Sequence, residues 1–389
     1  MVNPMKPKVL HVITVYNGRE FVPRAVESAV RMDSSDANID VLILDDASPE
    51  PGWSEDLANI CRNLGAHYYL SPRNLGIPRN VSLGMLAAVK KNYDYVTINN
   101  SDVIFPANLI SIMLEACKVD KVGSVTAWSN NVSIYSLPNC DPDRHLASQE
   151  TVDFISKSLA EKYGASVVDI PAGISFCIMM PTEVVKDVGL MDPVFGRGYC
   201  EETDWSLRSL KKGYRVCLCP GSFVYHQGRG SNVAAGLVSG AHSTVPENEA
   251  IIDMRFPMFR QQVLEFERAG TMTSYKDNAV DYLIDSAAKA FGYAIYPGWR
   301  PKPAAAEAVP VSVEVMPDGF TPNIRFTYAG FEQIWPLGGS ESIKNAIDRF
   351  GSNSLRHNAF DCAACYGLAF SKKDNALEIE KAPYPQSIW

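Results

Sequence analysis

The chain has 389 residues, 46% hydrophobic and 21% charged, and its 36 Lys and Arg against 44 Asp and Glu give a formal net charge of -8. This composition is typical of a globular protein with two domains, or with one large domain and an appendage, and it excludes a disordered chain and a disulfide-stabilised miniprotein. The excess of acidic over basic residues argues against a nucleic-acid-binding protein, which needs a basic face.

Signals of membrane insertion and of secretion are both missing from the sequence. No run of about 18 apolar residues occurs, so we expect no transmembrane segment, and the absence of a signal cleavage site predicts a cytoplasmic location. The nine cysteines fit reduced thiols better than a disulfide framework. Cys362, Cys365 and His357 resemble zinc ligands only faintly, because no second paired-cysteine motif accompanies them.

The first hundred residues alternate between strand and helix patterns. Strands are predicted at 8–14, 41–44, 67–70 and 95–100, with helices over FVPRAVESAV and VSLGMLAAVKK. This alternation implies right-handed crossovers and a mostly parallel sheet, in which ligands gather at the carboxyl ends of the strands. The polar residues that follow these strands are Tyr16 and Asn17, then Asp45 and Asp46, then Asn100, Ser101 and Asp102. We therefore expect three polar clusters to converge on one edge of the sheet.

Further along the chain, a helix is predicted at 150–163, a buried strand at 173–180, and a helix of about 11 residues after the turn GYC. That helix carries Glu201, Glu202 and Asp204 at its positive end, and Gly213 suits its left-handed cap. Two short strands follow it. The small, polar segment 228–246 predicts a mobile loop, which is followed by helical sequence to about 290 interrupted by Pro257.

The predicted fold class is α/β, with a C-terminal helical segment and a small β-containing accessory domain. The predicted catalytic domain covers 1–235, a loop and helical extension covers 236–300, and a linker with the accessory domain covers 301–389. The linker is the Pro-rich stretch 297–310, and apolar alternation in VSVEV and IRFTYAG predicts strands beyond it.

Six short segments of the chain, taken in order, resemble inverting family 2 glycosyltransferases of the GT-A fold. They are TVYNG, LDDASPE, NLGIPRN, NSD, GYCEETDWSLR and YHQGRGS, spread over about 220 residues. Each segment alone is a weak signal, but six in the order of the family are a specific one. The resemblance implies a GT-A domain over about residues 8–230 that binds a nucleotide-sugar donor.

The resemblance also implies roles for residues at the first three segments. The nucleoside would be held by Thr14, Tyr16, Asn17, Asp45 and Asp46, and a carboxylate can accept a hydrogen bond from a uracil or thymine imide N–H. Arg79 resembles a position near the base and phosphates, although an exposed arginine at a helix N-terminus is the alternative. Gly76 is expected to permit a close backbone approach or a positive φ.

NSD stands where the family carries its Asp-x-Asp signature, and a divalent ion such as Mn²⁺ or Mg²⁺ is a common way to offset the charge of a diphosphate. Here Asn100 replaces the first acid, which leaves Asp102 as the expected metal ligand and gives Asn100 and Ser101 a nucleotide- or sugar-binding role. His226 resembles the second protein ligand of many relatives, although a single His at a strand end is more often structural.

The acidic helix resembles the segment that supplies the catalytic base of the family. The second acid of its pair corresponds to Glu202, with Glu201 and Asp204 as orienting or acceptor-binding groups. The alternative is that these acids only stabilise the helix N-terminus. Trp205 is weighed as a platform for an acceptor sugar against a core residue, and the loop with Arg229 as a lid against an ordinary surface loop.

Together these patterns predict a metal-dependent inverting glycosyltransferase that moves a sugar from a UDP or dTDP donor to a hydroxyl acceptor, expected to be a saccharide. Relatives of this type, including rhamnosyl transferases, often build bacterial surface polysaccharides. The alternative is a catalytically silent nucleotide-sugar-binding module. A nicotinamide-dependent dehydrogenase is disfavoured because no G-x-G-x-x-G turn follows the first strand, and no P-loop is found. Homo-oligomerisation through the C-terminal region remains open.

Overall fold

The computed structural model describes the chain over most of its length, in two compact units. The described residues are 6–132, 134–138, 148–228, 238–239, 242–243, 245–298, 301–316, 323–336, 353–365, 368–373 and 376–381. The first unit comprises Met1–Pro142 and Ala147–Tyr275, and the second comprises Asp143–Leu146 and Lys276–Trp389. The predicted segment 228–246 lies largely outside the described residues.

The first unit is built on a sheet of eight described strands. They are β1 (Lys8–Val15), β2 (Asn38–Asp45), β3 (His67–Leu70), β4 (Tyr95–Asn99), β6 (Val122–Trp128), β7 (Val168–Asp169), β8 (Cys177–Pro181) and β9 (Arg215–Phe223), in the order β3-β2-β1-β4-β8-β6-β9-β7. Two short pairs accompany it, β5 (Val103–Ile104) with β10 (Tyr225–His226), and β11 (Val238–Ser239) with β12 (His242–Ser243).

The direction of the strands determines which loops meet. Strands β1 to β4 are mutually parallel, β8 runs antiparallel to β4, and β6 and β9 are parallel to each other and share the direction of β4. The carboxyl ends of β1, β2, β4, β6 and β9 therefore lie on one side of the sheet, which we call the carboxyl edge. The convergence predicted from the sequence follows from this topology.

Helices cover the sheet of the first unit. They are α1 (Val22–Val30), α2 (Trp53–Leu64), α3 (Ile77–Lys90), α4 (Leu109–Cys117), α5 (Gln149–Tyr163), α6 (Thr182–Val188), α7 (Glu201–Lys211), α8 (Val245–Arg255) and α9 (Phe259–Arg268). The small residues of α3 allow close packing on the sheet, because a Cβ at Gly84 would lie 2.8 Å from the Val12 side chain. Helix α7 ends as predicted before Gly213, whose φ is +88°.

The second unit has its own small sheet. Its elements are β13 (Tyr293–Pro297), α11 (Ala304–Ala308), β14 (Val311–Met316), β15 (Asn323–Tyr328), β16 (Phe331–Pro336), α12 (Ser354–Cys365), β17 (Leu368–Lys373) and β18 (Ala376–Lys381). Strands β13 to β16 pair in sequence order. The alternation in VSVEV is borne out, since Val311, Val313 and Val315 are fully buried. Helix α10 (Thr271–Phe291) begins in the first unit and ends in the second.

Two predicted element boundaries differ from the structure. The strand predicted at 173–180 begins only at Cys177, because the backbone N–H groups of Gly173 and Ile174 donate to the side chains of Ser206 and Thr126 instead of joining the sheet. The predicted linker overlaps β13 and α11, since β13 pairs with β14 in parallel. The first compact unit continues to Tyr275, beyond the edge predicted at 235, and the extent of the catalytic domain stays a prediction.

None of the helices within the described ranges combines the length and the apolar character that crossing a membrane requires.

Candidate functional site

The acidic pair after β2 is buried at the carboxyl edge. Asp45 Oδ1 accepts hydrogen bonds from the backbone N–H and hydroxyl of Ser48, at 2.9 and 2.7 Å, and its Oδ2 accepts from the hydroxyls of Ser54 and Tyr68, at 2.6 and 2.8 Å. A carboxylate offers about four lone-pair sites, so the Asp45 carboxylate is fully used within the protein. Asp45 therefore shapes the loop after β2, and a ligand contact would have to displace one of these bonds.

Asp46 instead connects β2 to the loop before α3. Its two carboxylate oxygens accept from the backbone N–H groups of Leu75 and Gly76, at 2.7 and 3.0 Å. Burial raises the pKa of Asp46, these two hydrogen bonds lower it, and the charge of Asp45 raises it again, so the pKa ends above its usual value. One acceptor site on each oxygen is left over. The geometry favours Asp46 over Asp45 for direct contact with a ligand.

The residues at the end of β1 lie beside this pair. The backbone N–H of Asn17 donates to the Ser48 hydroxyl at 2.8 Å, and its φ of +61° turns the chain away from the strand. Thr14 is half-buried, with its hydroxyl 3.4 Å from the carbonyl oxygen of Asn99, and Tyr16 is half-buried too. The structure therefore brings together the five residues predicted to surround the nucleoside.

The loop before α3 packs against the loop before α7. Gly76 has a φ of +80°, and a Cβ there would lie 2.4 Å from the carbonyl oxygen of Gly196, so both predicted reasons for a glycine apply. The backbone N–H of Ile77 donates to the carbonyl of Arg197 at 3.0 Å. Arg79 is exposed, and its guanidinium lies 3.5 Å from the carbonyl oxygen of Leu75. The end of β2 and the acidic helix α7 are thus connected through Gly76.

The two predicted metal ligands face each other across the carboxyl edge. Asp102 Oδ1 lies 3.2 Å from His226 Nε2, and both side chains are largely buried. The short β5–β10 pair brings them together, because His226 is opposite Val103 in its register. The side-chain amide of Asn100 lies 3.3 Å from His226 Nε2, and Ser101 Oγ is buried without a hydrogen-bond partner among the described residues.

The hydrogen bond made by Nδ1 of His226 determines how Nε2 of the same ring can interact with Asp102. Nδ1 lies 2.8 Å from the carbonyl oxygen of Asn131, so Nδ1 carries a hydrogen and donates it, and Nε2 faces Asp102. Nε2 donates to the Asp102 carboxylate when the imidazole is protonated and offers a lone pair when the imidazole is neutral. Burial lowers the pKa of His226, but the Asp102 carboxylate more than offsets this and the pKa ends above its usual value. Burial also acts to raise the pKa of Asp102, whereas the imidazole charge and hydrogen bond bring it below its usual value.

Glu201 and Glu202 begin α7 as a coupled carboxyl pair. Glu201 is buried and Glu202 half-buried, and Oε2 of each is enclosed without a hydrogen-bond partner in the described part of the chain. Burial, and then the charge of Glu202, raise the pKa of Glu201 well above its usual value. Burial also raises the pKa of Glu202, and although the hydrogen bond from Glu201 acts to lower it, the pKa ends above its usual value. Of the two carboxyl groups, Glu201 therefore holds a proton more strongly than Glu202.

The other two candidates on α7 have partners within the protein. Asp204 is fully buried, and its carboxylate oxygens each accept from an arginine at 2.7 Å, Arg208 on α7 and Arg255 on α8. This arrangement suits an orienting role for Asp204. Since both of its carboxylate oxygens are bonded to arginines, few hydrogen-bonding sites are left for an acceptor substrate. Trp205 is fully buried in the core below α3, and its indole N–H donates to the Gly189 carbonyl at 2.8 Å. Of the two alternatives weighed for Trp205, the structure agrees with the core residue, because no face of the ring is accessible.

The turn that leads into α7 has a strained backbone, and it is stabilised by hydrogen bonds from another helix. Tyr199 and Cys200 have φ values of +74° and +70°, which side chains other than glycine rarely adopt. The amide of Asn248, on α8, lies within hydrogen-bond distance of the carbonyl oxygens of Phe195, Gly198 and Tyr199, at 3.1, 2.7 and 3.0 Å. Helix α8 therefore supports the turn that positions Glu201 and Glu202.

Several supporting residues were not identified from the sequence. Asn130 and Asn131, which bond the backbone and ring of His226, directly follow the strand end at β6, and the carboxyl-edge rule applied to that strand would have found them. No pattern in the sequence indicated Asn248 or Arg255, since their role depends on where α8 packs. Arg229 lies outside the described residues. Those residues contain no group of three or more His, Cys, Asp or Glu placed to hold a metal ion.

Solved structures of other proteins are similar in fold to this chain. A structure of GalNAc-T7 with UDP, GalNAc and Mn²⁺ is similar with a TM-score of 0.51 and 11% identity, covering 84% of this chain and 65% of that one. A structure of the mannosyltransferase PcManGT from Pyrobaculum calidifontis, in complex with GDP-Man and Mn²⁺, is similar with a TM-score of 0.45 and 13% identity, covering 78% and 79% of the two chains. No curated protein matches significantly.

The fold is that of the GT-A glycosyltransferases, as the likeness to the GalNAc-T7 structure shows. Residues 11–179 match the model of glycosyl transferase family 2, which is less than half of the chain. This match, together with the fold, identifies the chain as a glycosyltransferase. The matched segment contains the acidic pair after β2 and Asp102, and it ends before α7.

Proposed function

We propose that this glycosyltransferase transfers a sugar from a UDP or dTDP donor to a hydroxyl acceptor with inversion, and that Glu202 is the general base. The observation that carries the proposal is the carboxyl pair at the start of α7, in which Oε2 of Glu202 is enclosed and has no hydrogen-bond partner among the described residues. The pKa of Glu201 is raised further than that of Glu202, which favours Glu202 as the group that is ionised first. A carboxylate at this position can accept a proton from an incoming hydroxyl.

The reaction is a single displacement at the anomeric carbon. The acceptor oxygen forms a bond to that carbon while the bond to the nucleoside diphosphate breaks, and the electron pair of the broken bond stays with the diphosphate oxygen. Glu202 takes the proton of the acceptor hydroxyl as the new bond forms. Since attack and departure occur on opposite faces of the sugar, the configuration inverts.

The donor would lie along the carboxyl edge. Asp46, Thr14, Tyr16 and Asn17 line the nucleoside end, Asp45 organises their loop through Ser48, and Asn100 and Ser101 lie where the diphosphate and sugar would pass. The exposed guanidinium of Arg79 is at the first turn of α3, within the loop that Asp46 holds. An arginine there can offset phosphate charge.

The residues at the end of β4 fit a divalent ion. Two ligands at right angles, each about 2.1 Å from one ion, lie about 3 Å apart, and Asp102 Oδ1 is 3.2 Å from His226 Nε2. One or two protein ligands, completed by phosphate oxygens of the substrate, are usual for such ions. Mn²⁺ is named in the two similar structures. An ion bound here would offset the charge that develops on the leaving diphosphate.

The test is Glu202→Gln, which keeps the size of the side chain and removes the base. We expect nucleoside diphosphate release from a panel of UDP and dTDP sugars with Mn²⁺ to fall by about 10²- to 10⁴-fold. Donor binding, measured as the rise in thermal midpoint, should stay unchanged because Glu202 is not among the proposed donor contacts. The matched control is Glu183→Gln, whose carboxylate is exposed and paired with Lys186. Full activity of Glu202→Gln would refute the base assignment.

A further inference from the structure

A cavity lies in front of Glu202. Its volume is about 200 Å³, and it is lined by Glu202 and Thr203 of α7 and by residues from three other parts of the first unit, including Tyr135 and Phe259. It adjoins a second cavity of about 410 Å³, which shares the lining residues Thr203, Phe259 and Val263. A general base must lie within hydrogen-bond reach of the proton that it takes, so the acceptor hydroxyl has to enter this space.

On the wall formed by residues 134–135 and 171–174, three polar groups are already hydrogen-bonded to other parts of the protein. The Tyr135 hydroxyl donates to the carbonyl of Ala172 at 3.0 Å. On the same wall, the backbone N–H groups of Gly173 and Ile174 donate to neighbouring hydroxyls at 3.1 and 3.3 Å. A polyhydroxylated ring placed here would give up its hydrogen bonds to water and find few replacements, which is costly.

Helix α9 supplies the opposite, apolar wall. Phe259 and Val263 are four residues apart, so they lie on one face of α9, and both line the two cavities. Phe259 also packs on the small core cluster of Phe195, Leu207 and Ile252, whereas no residue of α9 is fully buried. The helix begins after residue 179, where the family match ends.

Apart from the Glu202 carboxyl group, the charged groups that line the two cavities lie at the outer one, where they are paired with each other. Arg260 Nε lies 2.7 Å from the carboxylate of Asp253, and its Nη2 lies 3.1 Å from that of Glu249. Two carboxylates with one guanidinium leave a net negative charge at this position. An anionic acceptor is therefore disfavoured.

We propose that the acceptor presents its hydroxyl to Glu202 on an uncharged, apolar body, an aliphatic or aromatic alcohol, which packs between Tyr135 and the Phe259–Val263 face of α9. This inference rests on the proposed function, since it takes Glu202 as the base, and it departs from the saccharide acceptor expected from the sequence. Phe259 and Val263 are then specificity-determining residues for the acceptor.

The test measures binding of simple alcohols to the full chain, without any donor. The probes are 1-butanol, 1-pentanol and 1-hexanol, with erythritol as a polyhydroxylated control of four carbons, followed by saturation-transfer NMR titration. We expect the Kd to fall by up to about fourfold for each added methylene group, because each one is buried against the apolar wall. Erythritol should show no saturable binding.

Variants on α9 locate the binding. Val263→Asp places a charge in the cavity and should remove the dependence on chain length, and Val263→Phe should weaken 1-hexanol binding at least tenfold by filling the space without adding charge. Gln262→Asp, on the exposed side of the same helix, adds the same charge outside the cavity and should bind like the wild type. Circular dichroism of each variant checks that it is folded.

The proposal is overturned if erythritol binds as tightly as 1-butanol, if the Kd does not change with chain length, or if Val263→Phe and Gln262→Asp bind all probes like the wild type. These outcomes are distinguishable from failure of the proposed function. Alcohol binding needs neither donor nor catalysis, whereas the Glu202→Gln experiment reports on catalysis alone.

Discussion

Glu201 and Glu202 occupy neighbouring positions at the N-terminus of a helix, yet their surroundings affect their pKa values to different extents. Burial raises the pKa of both, and the Glu202 charge raises that of Glu201 further. The hydrogen bond from Glu201 acts to lower the pKa of Glu202, which still ends above its usual value. The helix dipole favours negative charge at this end. Glu202 is thus the carboxyl group of the pair that ionises more readily, which suits a base beside an orienting partner.

The pair makes stability depend on pH with a defined sign. Since folding raises the pKa of Glu201 above its ordinary value of 4.5, its contribution to stability is fully present below that value and is lost as the pH rises through the folded pKa. We expect the stability of Glu201→Gln, relative to wild type, to increase with pH. Urea unfolding of both proteins over a pH series measures this, and a difference that does not change with pH would contradict the assignment.

At the scale of elements, the site depends on a helix outside the family match. Helix α8 holds the strained turn at Tyr199 and Cys200 through Asn248, and Arg255 of the same helix pairs with Asp204 and Asp192. Strained turns persist only where neighbouring structure holds them. Helix α8 therefore acts as a brace for the start of α7.

We predict that Asn248→Ala lowers kcat more than it raises the KM for the donor, because the turn that positions Glu202 loses its support while the carboxyl edge is untouched. The free energy of unfolding should fall by about 1 to 3 kcal/mol, since buried carbonyl groups lose their donor. Asn248→Asp should lower kcat and the free energy of unfolding further, because a carboxylate would face those carbonyl oxygens. Steady-state kinetics and urea unfolding measure both effects.

A matched control is available for this prediction. Asn59→Ala, at an exposed position in α2, removes the same amide from a helix without contacts to the turn. Its kinetics and stability should stay close to wild type. If Asn248→Ala loses stability while kcat and KM are unchanged, the bracing role of α8 is wrong.

At the scale of the molecule, every residue assigned here to donor, metal or base lies in the first compact unit. The second unit has a separate sheet with its own buried valines on β14 and alternating buried residues on β15. A ligand that binds the native state protects the structure around its site from local opening.

Hydrogen exchange of the full chain can therefore locate the donor. With UDP or dTDP and Mn²⁺, we expect slower exchange in peptides that cover 14–17, 45–48, 100–104 and 225–228, and unchanged exchange in β14 to β16. Removing the ion with a chelator should weaken the protection most at 100–104 and 225–228. Protection confined to the second unit, or protection that a chelator leaves intact, would contradict the proposed donor and metal sites respectively.

The sequence by itself determined the order of strands and helices in the first hundred residues, the polar ends of β1, β2 and β4, and the resemblance to family 2 glycosyltransferases. Hydrophobic periodicity and turn residues are local properties, and the direction of strands in crossover units follows from chirality. For the same reason the acidic helix and its glycine stop were predicted close to their observed bounds.

Only the tertiary structure decided how the candidate residues are used. It placed Asp102 beside His226, 124 residues apart in the chain, used the Asp45 carboxylate to hold Ser48, Ser54 and Tyr68, and buried Trp205 in the core. It also brought α8 and α9 against the turn and cavity at Glu202. Such contacts depend on packing between distant segments, which no local pattern encodes.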